Sequence, residues 1–266
     1  MAKAILITGA SRGLGLVVAD HLARCGYRVF GASRTPPPEG SKFKWVKMDI
    51  TDKSSIAAGV ENVLSEGGGI DVLFANAGYG VLGPIEDTPL ELFQAQFNVN
   101  VFGTISAVKT VIPVMKKQGH GRIIITGSSG GVLAFPFFAP YHTSKFALEG
   151  FAESLSTEMK LYGIDVHLLE PGVMKTKMVE SMTIVDEDLG KSSPFYRMSK
   201  LVRGYPVAQR FGTSPRKVAK RVEKICAGKK KAFRHPIGID THLTRLLKAV
   251  LPWKLINLGF RKSVMR

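Results

Sequence analysis

Short apolar runs alternate with amphipathic stretches along most of the chain. The runs fall near residues 4–8, 28–32, 43–48, 71–75, 122–126 and 165–169. A helical spacing of apolar residues begins at about residues 13, 53, 89 and 140. Strands that alternate with helices form parallel βαβ units with right-handed crossovers. The pattern therefore predicts an α/β fold, with a doubly wound parallel sheet and helices on both faces.

A glycine-rich turn follows the first predicted strand. It reads Thr8-Gly9-Ala10-Ser11-Arg12-Gly13-Leu14-Gly15 and leads directly into the first predicted helix. A strand, a glycine turn and a helix start bring backbone N–H groups and a helix N-terminus against a pyrophosphate. Glycine suits such a turn because it tolerates positive φ and lets the backbone approach a phosphate. A purely structural turn is the alternative interpretation.

A second candidate site lies in the middle of the chain. Tyr141 and Lys145 are four residues apart, which places them on one face of a helix, and Ser128 lies thirteen residues before the tyrosine. A phenol has a pKa near 10, so it needs a neighbouring cation to act as an acid or base at neutral pH. The alternative is a solvated Tyr–Lys pair. Ser129 competes with Ser128 for the serine role, and the spacing favours Ser128.

Together these motifs resemble the classical short-chain dehydrogenase/reductase family, over residues 3 to about 235. Asn76-Ala77-Gly78, Asn100, and Pro171-Gly172-Val173 with Thr176 match further family motifs, although Ala75 stands where the family has asparagine. Arg12 occupies a position where the extended branch of the family has glycine, which favours the classical branch. The resemblance implies a Rossmann-type fold and a catalytic set made of Asn100, Ser128, Tyr141 and Lys145.

The resemblance also implies a nicotinamide cofactor and the residues that bind it. The predicted cofactor-binding residues are Gly9, Ser11, Arg12, Gly13, Leu14, Gly15, Ser33, Arg34, Asp49, Ile50, Asn76, Ala77, Gly78, Tyr141, Lys145, Pro171, Gly172, Val173 and Thr176. Ser33 stands where an acidic residue would accept hydrogen bonds from an adenosine ribose. Arg34 and Arg12 can pair with a 2′-phosphate instead, so we expect NADP(H). Asp49 matches an adenine-side aspartate, with a turn or capping role as the alternative.

The mechanism implied by the resemblance is a carbonyl–alcohol interconversion. Ser128 and Tyr141 would bind the carbonyl oxygen, and Tyr141 would transfer the proton while the nicotinamide transfers a hydride. Lys145 would lower the Tyr141 pKa and hold the nicotinamide ribose, and Asn100 would anchor a water that reaches Lys145. His142 should point about 100° away from Tyr141 on the helix, so we expect a packing or pocket-rim histidine.

The substrate is less defined by the sequence. Residues 132–140 contain Phe135, Phe137 and Phe138 and correspond to a loop that lines the active site in the family. They favour an apolar substrate, and local similarity to steroid and retinol dehydrogenases makes a steroid- or retinoid-like compound a candidate. The alternative is that these phenylalanines belong to the core. Residues 174–212 correspond to the family's substrate loop.

Composition limits the setting in which the protein works. With 266 residues, 45% of them hydrophobic, the chain can bury a sizeable core. Its two cysteines, Cys25 and Cys226, give no disulfide framework, and the first strand leaves no room for a signal peptide. No apolar run approaches membrane-spanning length, and neither metal-ligand spacing nor a nucleic-acid motif is evident. We expect a cytoplasmic protein, and family resemblance suggests a homodimer or homotetramer.

The charge is concentrated in the last quarter of the chain. Residues 191–266 contain 20 Lys and Arg but 2 acidic residues, whereas the whole chain has a net charge of +16. We expect a catalytic domain over residues 1–238 and a basic amphipathic tail over residues 239–266, which Pro252 divides into two helices. Such helices can lie on an anionic membrane. The alternative is that their apolar face packs on the body or on a partner subunit.

Two functions remain open at this point. The first is an NADPH-dependent carbonyl reductase, or alcohol dehydrogenase in the reverse direction. The second is a non-catalytic NADP-binding regulator, or a membrane-recruited scaffold, that keeps the fold. The complete set Asn100, Ser128, Tyr141 and Lys145 favours catalysis, because a binding protein has no need of it.

Overall fold

The central element of the molecule is a seven-stranded, all-parallel sheet. The computed structural model describes residues 2–175, 182–185, 193, 195–203 and 212–264. The sheet has the strand order β3-β2-β1-β4-β6-β7-β9. Its strands are β1 (Ala4–Thr8), β2 (Arg28–Ser33), β3 (Lys44–Lys47), β4 (Val72–Ala75), β6 (Gly121–Thr126), β7 (Ile164–Pro171) and β9 (Arg234–Ile237). A separate pair joins β5 (Val81–Leu82) to β8 (Thr183–Ile184).

The direction of the strand order reverses at β1. This strand pairs in parallel with β2 on one side and with β4 on the other. The chain therefore builds the sheet outward to β3, returns to the middle, and continues to β9. In an open α/β sheet, ligands bind at the carboxyl ends of the strands where this reversal occurs.

Helices cover both faces of the sheet and enclose two apolar clusters. The described helices are α1 (Gly13–Arg24), α2 (Lys53–Gly67), α3 (Leu90–Phe97), α4 (Thr104–Gln118), α5 (Ala139–Lys160), α6 (Tyr196–Arg203), α7 (Pro215–Cys226), α8 (Ile239–Val250) and α9 (Trp253–Val264). Helices α2, α4 and α5 pack on one face. Helices α1 and α7 pack on the other. The three-layer arrangement confirms the predicted Rossmann-type fold.

A continuous helical run, Leu90–Gln118, joins α3 to α4 through a wider π-helical turn, Asn98–Gly103. By length and composition this run could cross a membrane, so the expectation that no apolar stretch reaches that length was wrong. Apolar residues of its α4 half are buried inside the protein, namely Ala107, Val108, Val111 and Met115, which lie in the core on one face of the sheet. The α4 half of the run packs on the core.

The predicted strands agree closely with the observed ones. All six apolar runs form strands of the central sheet. The edge strand β9 was not predicted, because its sequence Arg234-His235-Pro236-Ile237 has a proline and two ionisable residues. It pairs with β7 and leads into α8, so it fixes where the C-terminal helices leave the sheet. The two helices on either side of Pro252 are present as expected.

Candidate active site

A cavity of about 1290 Å³ opens at the carboxyl ends of β1, β2, β4, β6 and β7. One end is lined by the glycine-rich turn and by the residues that follow β2 and β3. The other end is lined by apolar side chains from the loop before α5, from the segment after β7 and from α9. Ser128, Tyr141 and Lys145 line the cavity between these two ends.

The glycine-rich turn lies tightly against the end of β4. Gly9 has a φ of +72°, and a Cβ there would come within 2.8 Å of Ala77 Cα. A Cβ at Gly15 would come within 2.2 Å of the Gly9 carbonyl oxygen and 2.7 Å of Asn76 Nδ2. Larger residues at either position would push the turn away from β4. These glycines therefore set the shape of the cavity floor.

The N-terminus of α1 forms one edge of the cavity. Arg12 is the N-cap residue and makes no side-chain capping hydrogen bond, and the first turn contains no acidic residue. The first-turn N–H groups are thus left for another acceptor, and the helix dipole favours an anion there. Gly13 adds open space, because a Cβ at this position would meet nothing within 4 Å. This edge fits the pyrophosphate of a dinucleotide.

Thr8 joins the two strands beneath this edge. Its hydroxyl oxygen accepts hydrogen bonds from the backbone N–H groups of Asn76, at 3.0 Å, and Ala77, at 3.1 Å. Asn76 Nδ2 donates in turn to the Thr8 carbonyl oxygen at 3.2 Å. The role of Thr8 was not predicted from the sequence, although the residue lies at the start of the glycine motif. The contact holds Asn76-Ala77 in register with the turn.

The end of β2 carries cations and no carboxylate. The Ser33 hydroxyl donates to the Thr35 carbonyl oxygen at 2.7 Å and accepts from Trp45 Nε1 at 3.1 Å. Arg12 and Arg34 are exposed beside it and line the cavity. Across from them, Asp49 accepts hydrogen bonds from the N–H and hydroxyl of Thr51, which lower the pKa of Asp49, and the Arg34 charge lowers it further. This end can accept a further anionic group near the two arginines.

Ser128, Tyr141 and Lys145 converge as the sequence suggested. Ser128 lies two residues after the end of β6 and caps a short 3₁₀ turn, Ser129–Gly131, and its oxygen accepts a hydrogen bond from the Gly130 N–H at 3.1 Å. Tyr141 and Lys145 lie in the first turns of α5. Lys145 Nζ donates to the Thr126 carbonyl oxygen at 2.8 Å and lies 5.8 Å from the centre of the Tyr141 ring.

The pKa values at this site follow from burial. Burial raises the pKa of Tyr141, and the hydrogen-bonding Ser128 hydroxyl acts in the opposite direction. Burial also lowers the pKa of Lys145 to about 8, while the Glu149 carboxylate raises it. The Lys145 ammonium group donates to the Thr126 carbonyl oxygen, and the lowering of the Tyr141 pKa by Lys145 stays a prediction. The cavity favours a neutral phenol, which is the proton-donating form.

Asn100 lies behind these residues and does not line the cavity. It sits in the π-helical turn and is fully buried. Its Oδ1 accepts from the Tyr79 N–H at 3.0 Å, and its Nδ2 donates to the Tyr79 carbonyl oxygen at 2.9 Å and to Ser144 Oγ at 3.1 Å. Both amide hydrogens are therefore used, and one lone pair of Oδ1 remains. The water-anchoring role of Asn100 stays a prediction.

The phenylalanine loop divides between cavity and core. Phe135 and Phe138 line the cavity, whereas Phe137 is buried with Leu82 and Met198. Phe137 has a φ of +74°, a strained value for a residue with a Cβ. His142 accepts the Phe135 N–H on Nδ1 at 3.0 Å and stacks on Phe138. Burial lowers the pKa of His142 to about 4, so it acts as a neutral residue that holds the loop.

The segment after β7 is held by the C-terminal helices. Asp240, in the first turn of α8, accepts the Val173 N–H at 2.6 Å. A Cβ at Gly172 would come within 2.0 Å of the same carboxylate, so a larger residue there would displace Asp240 from the Val173 N–H. Farther along, Phe260 of α9 lines the cavity and packs edge-on against Phe135, with 5.2 Å between ring centres. Neither Asp240 nor Phe260 was predicted, because no local pattern marks them.

Most predicted cofactor residues meet around one cavity. Gly15 lies beneath the floor, and Thr176 is outside the described residues, as is most of the predicted substrate loop. The predicted residues that line the cavity are Gly9, Ser11, Arg12, Gly13, Leu14, Ser33, Arg34, Asp49, Ile50, Asn76, Ala77, Gly78, Tyr141, Lys145, Pro171, Gly172 and Val173.

One group of possible metal ligands lies far from this cavity. His21, Cys25 and Glu223 bring their ligand atoms within 4.8 Å of one another, between α1 and α7. Sequence spacing did not indicate this group, since Glu223 is 202 residues from His21. His21 Nε2 and Glu223 Oε2 are 2.7 Å apart, so they satisfy each other by a hydrogen bond. The expectation of no metal stays a prediction.

Comparison with known proteins agrees with this geometry. The sequence profile of the short chain dehydrogenase family matches residues 3–185. A 3-ketodihydrosphingosine reductase from Bacteroides thetaiotaomicron is 37% identical over 239 residues, which cover 88% of this chain and 87% of that protein. Human 17-beta-hydroxysteroid dehydrogenase type 1 is 35% identical over 194 residues, covering 67% of this chain and 58% of that protein.

The fold is likewise shared with solved structures. A short-chain dehydrogenase from Streptomyces avermitilis superposes with a TM-score of 0.80 at 27% identity, covering 97% of this chain and 98% of that one. Other similar structures contain bound NAD or NADP. The profile match spans the glycine-rich turn, Asn100, Ser128, Tyr141 and Lys145. The chain therefore belongs to the short-chain dehydrogenase/reductase family of oxidoreductases.

Proposed function

We propose that the protein is an NADPH-dependent oxidoreductase that interconverts a carbonyl group and a primary or secondary alcohol on an apolar substrate. The observation that carries this proposal is the position of Ser128, Tyr141 and Lys145 between the two ends of one cavity. One end has phosphate-compatible N–H groups and arginines. The other end is apolar. A group bound at each end would meet at the tyrosine.

The proposed chemistry assigns one task to each residue. Bound NADPH supplies the hydride that reduces the carbonyl carbon. The Tyr141 hydroxyl donates its proton to the carbonyl oxygen, and the Ser128 hydroxyl donates a hydrogen bond to the same oxygen. Since burial raises the Tyr141 pKa, the phenol holds its proton until charge develops on that oxygen. Lys145, which carries a charge below about pH 8, is proposed to orient the cofactor ribose.

The preference for NADPH rests on charge. Arg12 and Arg34 are proposed to pair with a 2′-phosphate, and Ser33 introduces no repulsion. Ser33→Asp would place a carboxylate beside this phosphate. We expect it to raise the Kd for NADPH by at least about tenfold and to leave the Kd for NADH unchanged or lower, measured by fluorescence titration. Ser65→Asp, the same charge change on the exposed side of α2, is the control. Comparable wild-type Kd values for the two cofactors would contradict the assignment.

The substrate is proposed to be apolar and uncharged at its reacting end. Asp49, at the cofactor end, is the one carboxylate among the described residues that line the cavity. The substrate end is lined by Phe135, Phe138, Met174 and Phe260, which suit a long-chain or polycyclic compound. The names of two relatives point to the same class, a 3-keto sphingoid lipid and a hydroxysteroid. Retinoids also have this character.

A panel of carbonyl compounds tests the proposal. NADPH oxidation should be measured with 3-ketodihydrosphingosine, a 17-ketosteroid, retinaldehyde and a short, water-soluble ketone. We expect the bulky apolar compounds to react and Tyr141→Phe to reduce turnover by at least about a thousandfold, while NADPH still binds. Tyr79→Phe removes a phenol oxygen from the same cavity and should retain most of the activity.

The panel also decides between the two functional classes. A fully active Tyr141→Phe protein would contradict the catalytic assignment. If the protein neither oxidises NADPH with any of the carbonyl compounds nor oxidises an alcohol with NADP, the NADP-binding regulator or scaffold is favoured instead.

The cellular setting follows from simpler features. We propose a cytoplasmic homodimer or homotetramer, since family members often assemble in this way. Cys25 and Cys226 are both free thiols, which suits a reducing compartment. Sedimentation velocity measures the assembly state directly, and a monomer at micromolar concentration would contradict it.

A further inference from the structure

Helix α8 directs its apolar side chains away from the protein. Ile239, Leu243, Leu246, Leu247 and Val250 recur at the spacing of one helical face, and all five are exposed. The exposed fraction is 88% for Ile239 and 67% for Val250. A surface helix of a globular protein normally turns such a stripe toward the core. This helix has the opposite orientation.

Polar contacts on the opposite face fix this orientation. Thr241 and Thr244 are buried against the body. Arg245 Nη1 lies 2.7 and 2.8 Å from the two carboxylate oxygens of Glu170, which is fully buried at the end of β7. Asp240 accepts the Val173 N–H. A rotation that buried the apolar stripe would break these contacts and leave the Glu170 charge with fewer partners.

Helix α9 extends the same apolar surface. Trp253, Leu255 and Leu258 are exposed, whereas Ile256 is buried and Phe260 packs against Phe135. Lys248 Nζ lies 5.7 Å from the Trp253 ring centre, which links the end of α8 to the start of α9. We call the exposed apolar residues of both helices the outer face, namely Ile239, Leu243, Leu246, Leu247, Val250, Trp253, Leu255 and Leu258.

Cations surround the outer face. Lys248, Lys254 and Arg261 are exposed on the two helices, and Asp240 is the one acidic residue between 239 and 266. The last quarter of the chain carries 20 basic residues against 2 acidic ones. A second copy of this surface would bring like charges together, whereas an anionic lipid surface offers opposite charge and an apolar phase beneath it.

We infer that the outer face of α8 and α9 binds in the interface of an anionic membrane. The apolar side chains enter the boundary between headgroups and acyl chains, and the lysines and arginines contact lipid phosphates and carboxylates. Tryptophan suits this boundary because its ring is amphipathic. The two helices would lie along the membrane surface and hold the body against it.

The membrane surface would also lie beside the cavity. Phe260 is on the same helix as the outer face, yet it lines the substrate end of the cavity with Phe135. If the proposed activity on an apolar carbonyl compound holds, such a substrate can pass from the lipid phase to the cavity along α9. This second step rests on the proposed function, whereas membrane binding does not.

Vesicle co-sedimentation of the full chain tests the inference. Phosphatidylcholine vesicles with and without phosphatidylserine serve as probes, without cofactor or substrate. Wild-type protein should sediment with the anionic vesicles at low salt and be released near 1 M salt, where screening acts over about 3 Å. Leu246→Asp/Val250→Asp should weaken binding by at least about tenfold. Leu161→Asp changes a side chain that is 82% exposed at the far end of α5 and should bind like wild type.

Two outcomes would contradict binding of the outer face to a membrane. Wild-type protein that ignores anionic vesicles, or a double variant that binds them as wild type does, excludes the outer face as a membrane surface. A double variant that loses an oligomer in sedimentation velocity, with no lipid binding by wild type, assigns the face to a second copy. NADPH titration of every variant verifies that the fold is intact. None of these experiments measures turnover. A failure of membrane binding can therefore be told apart from a failure of the proposed catalysis.

Discussion

Helices α7 and α8 are both amphipathic and twelve residues long, yet α7 buries its apolar face and α8 exposes its own. Helix α7 buries Val218, Val222 and Ile225 against α1. Helix α8 buries two threonines and exposes its leucines. The difference shows that an amphipathic pattern predicts a face to be covered, but the polar contacts of the helix decide what covers it.

A carboxylate placed on each apolar face tests whether α7 buries this face and α8 exposes it. Val222→Asp would bury an unpaired charge between α1 and α7, and we expect it to lower the free energy of unfolding by more than about 4 kcal/mol. Leu246→Asp should change the free energy of unfolding by less than about 0.5 kcal/mol, because the side chain is exposed. Urea denaturation measures both. Equal losses would mean that α8 is packed in solution.

A second test concerns the ion pairs that hold α8 in its orientation. Glu170→Gln removes a fully buried charge that Arg234 and Arg245 share, and we expect a loss of about 3 kcal/mol or more in the free energy of unfolding. Glu153→Gln removes a carboxylate that also pairs with Arg234 but is 60% exposed, so it should cost at most about 1 kcal/mol. Thermal unfolding of the two variants measures the difference. Similar losses in the free energy of unfolding would argue against a fixed orientation of α8.

A third test uses pH at the boundary between the body and α9. His142 holds the Phe135 loop, and its pKa is lowered to about 4 from an ordinary value of 6.5. In the unfolded chain His142 is protonated below about pH 6.5, whereas in the folded chain it is protonated only below about pH 4. The free energy of unfolding therefore falls as the pH falls through this range. The full effect is about 3 kcal/mol.

His142→Asn, which can still accept the Phe135 N–H, should lack this part of the acid sensitivity. Glu149, His167 and His235 titrate in both proteins, so the difference between the two stability curves isolates His142. Parallel curves between pH 4 and 7 would contradict the assigned role.

The fold was predictable because the five strands β1, β2, β4, β6 and β7 are buried on both faces and form apolar runs in the sequence. The glycine turn, Ser128, Tyr141 and Lys145 were also accessible from sequence, since each belongs to a local motif whose spacing reflects a strand end or one helical face. The strand order then places these motifs at the same edge of the sheet.

Other parts of the site could not be predicted in this way. Asp240 holds the segment after β7 and Phe260 lines the cavity, and each lies more than sixty residues after the residue that it contacts, so no spacing connects them. The orientation of α8 depends on Arg245 meeting a buried glutamate, which a periodic pattern cannot report. The Tyr141 pKa depends on the burial of the phenol and on its hydrogen bond with Ser128, which are matters of side-chain geometry.

The π-helical turn Asn98–Gly103 has a consequence for how this chain tolerates changes of length. A π turn accommodates one more residue than an α-helical turn, so deletion of one residue here would restore a regular helix through α3 and α4. The same deletion within α4 would rotate the rest of that helix by about 100°, whereas a deletion at the wider turn, which already absorbs the extra residue, would leave the faces of α3 and α4 in place. Asn100 would then leave Tyr79 and Ser144 while the apolar face of α4 stayed buried. We therefore expect a one-residue deletion at this turn to remove the Asn100 amide from its hydrogen bonds without unfolding the protein.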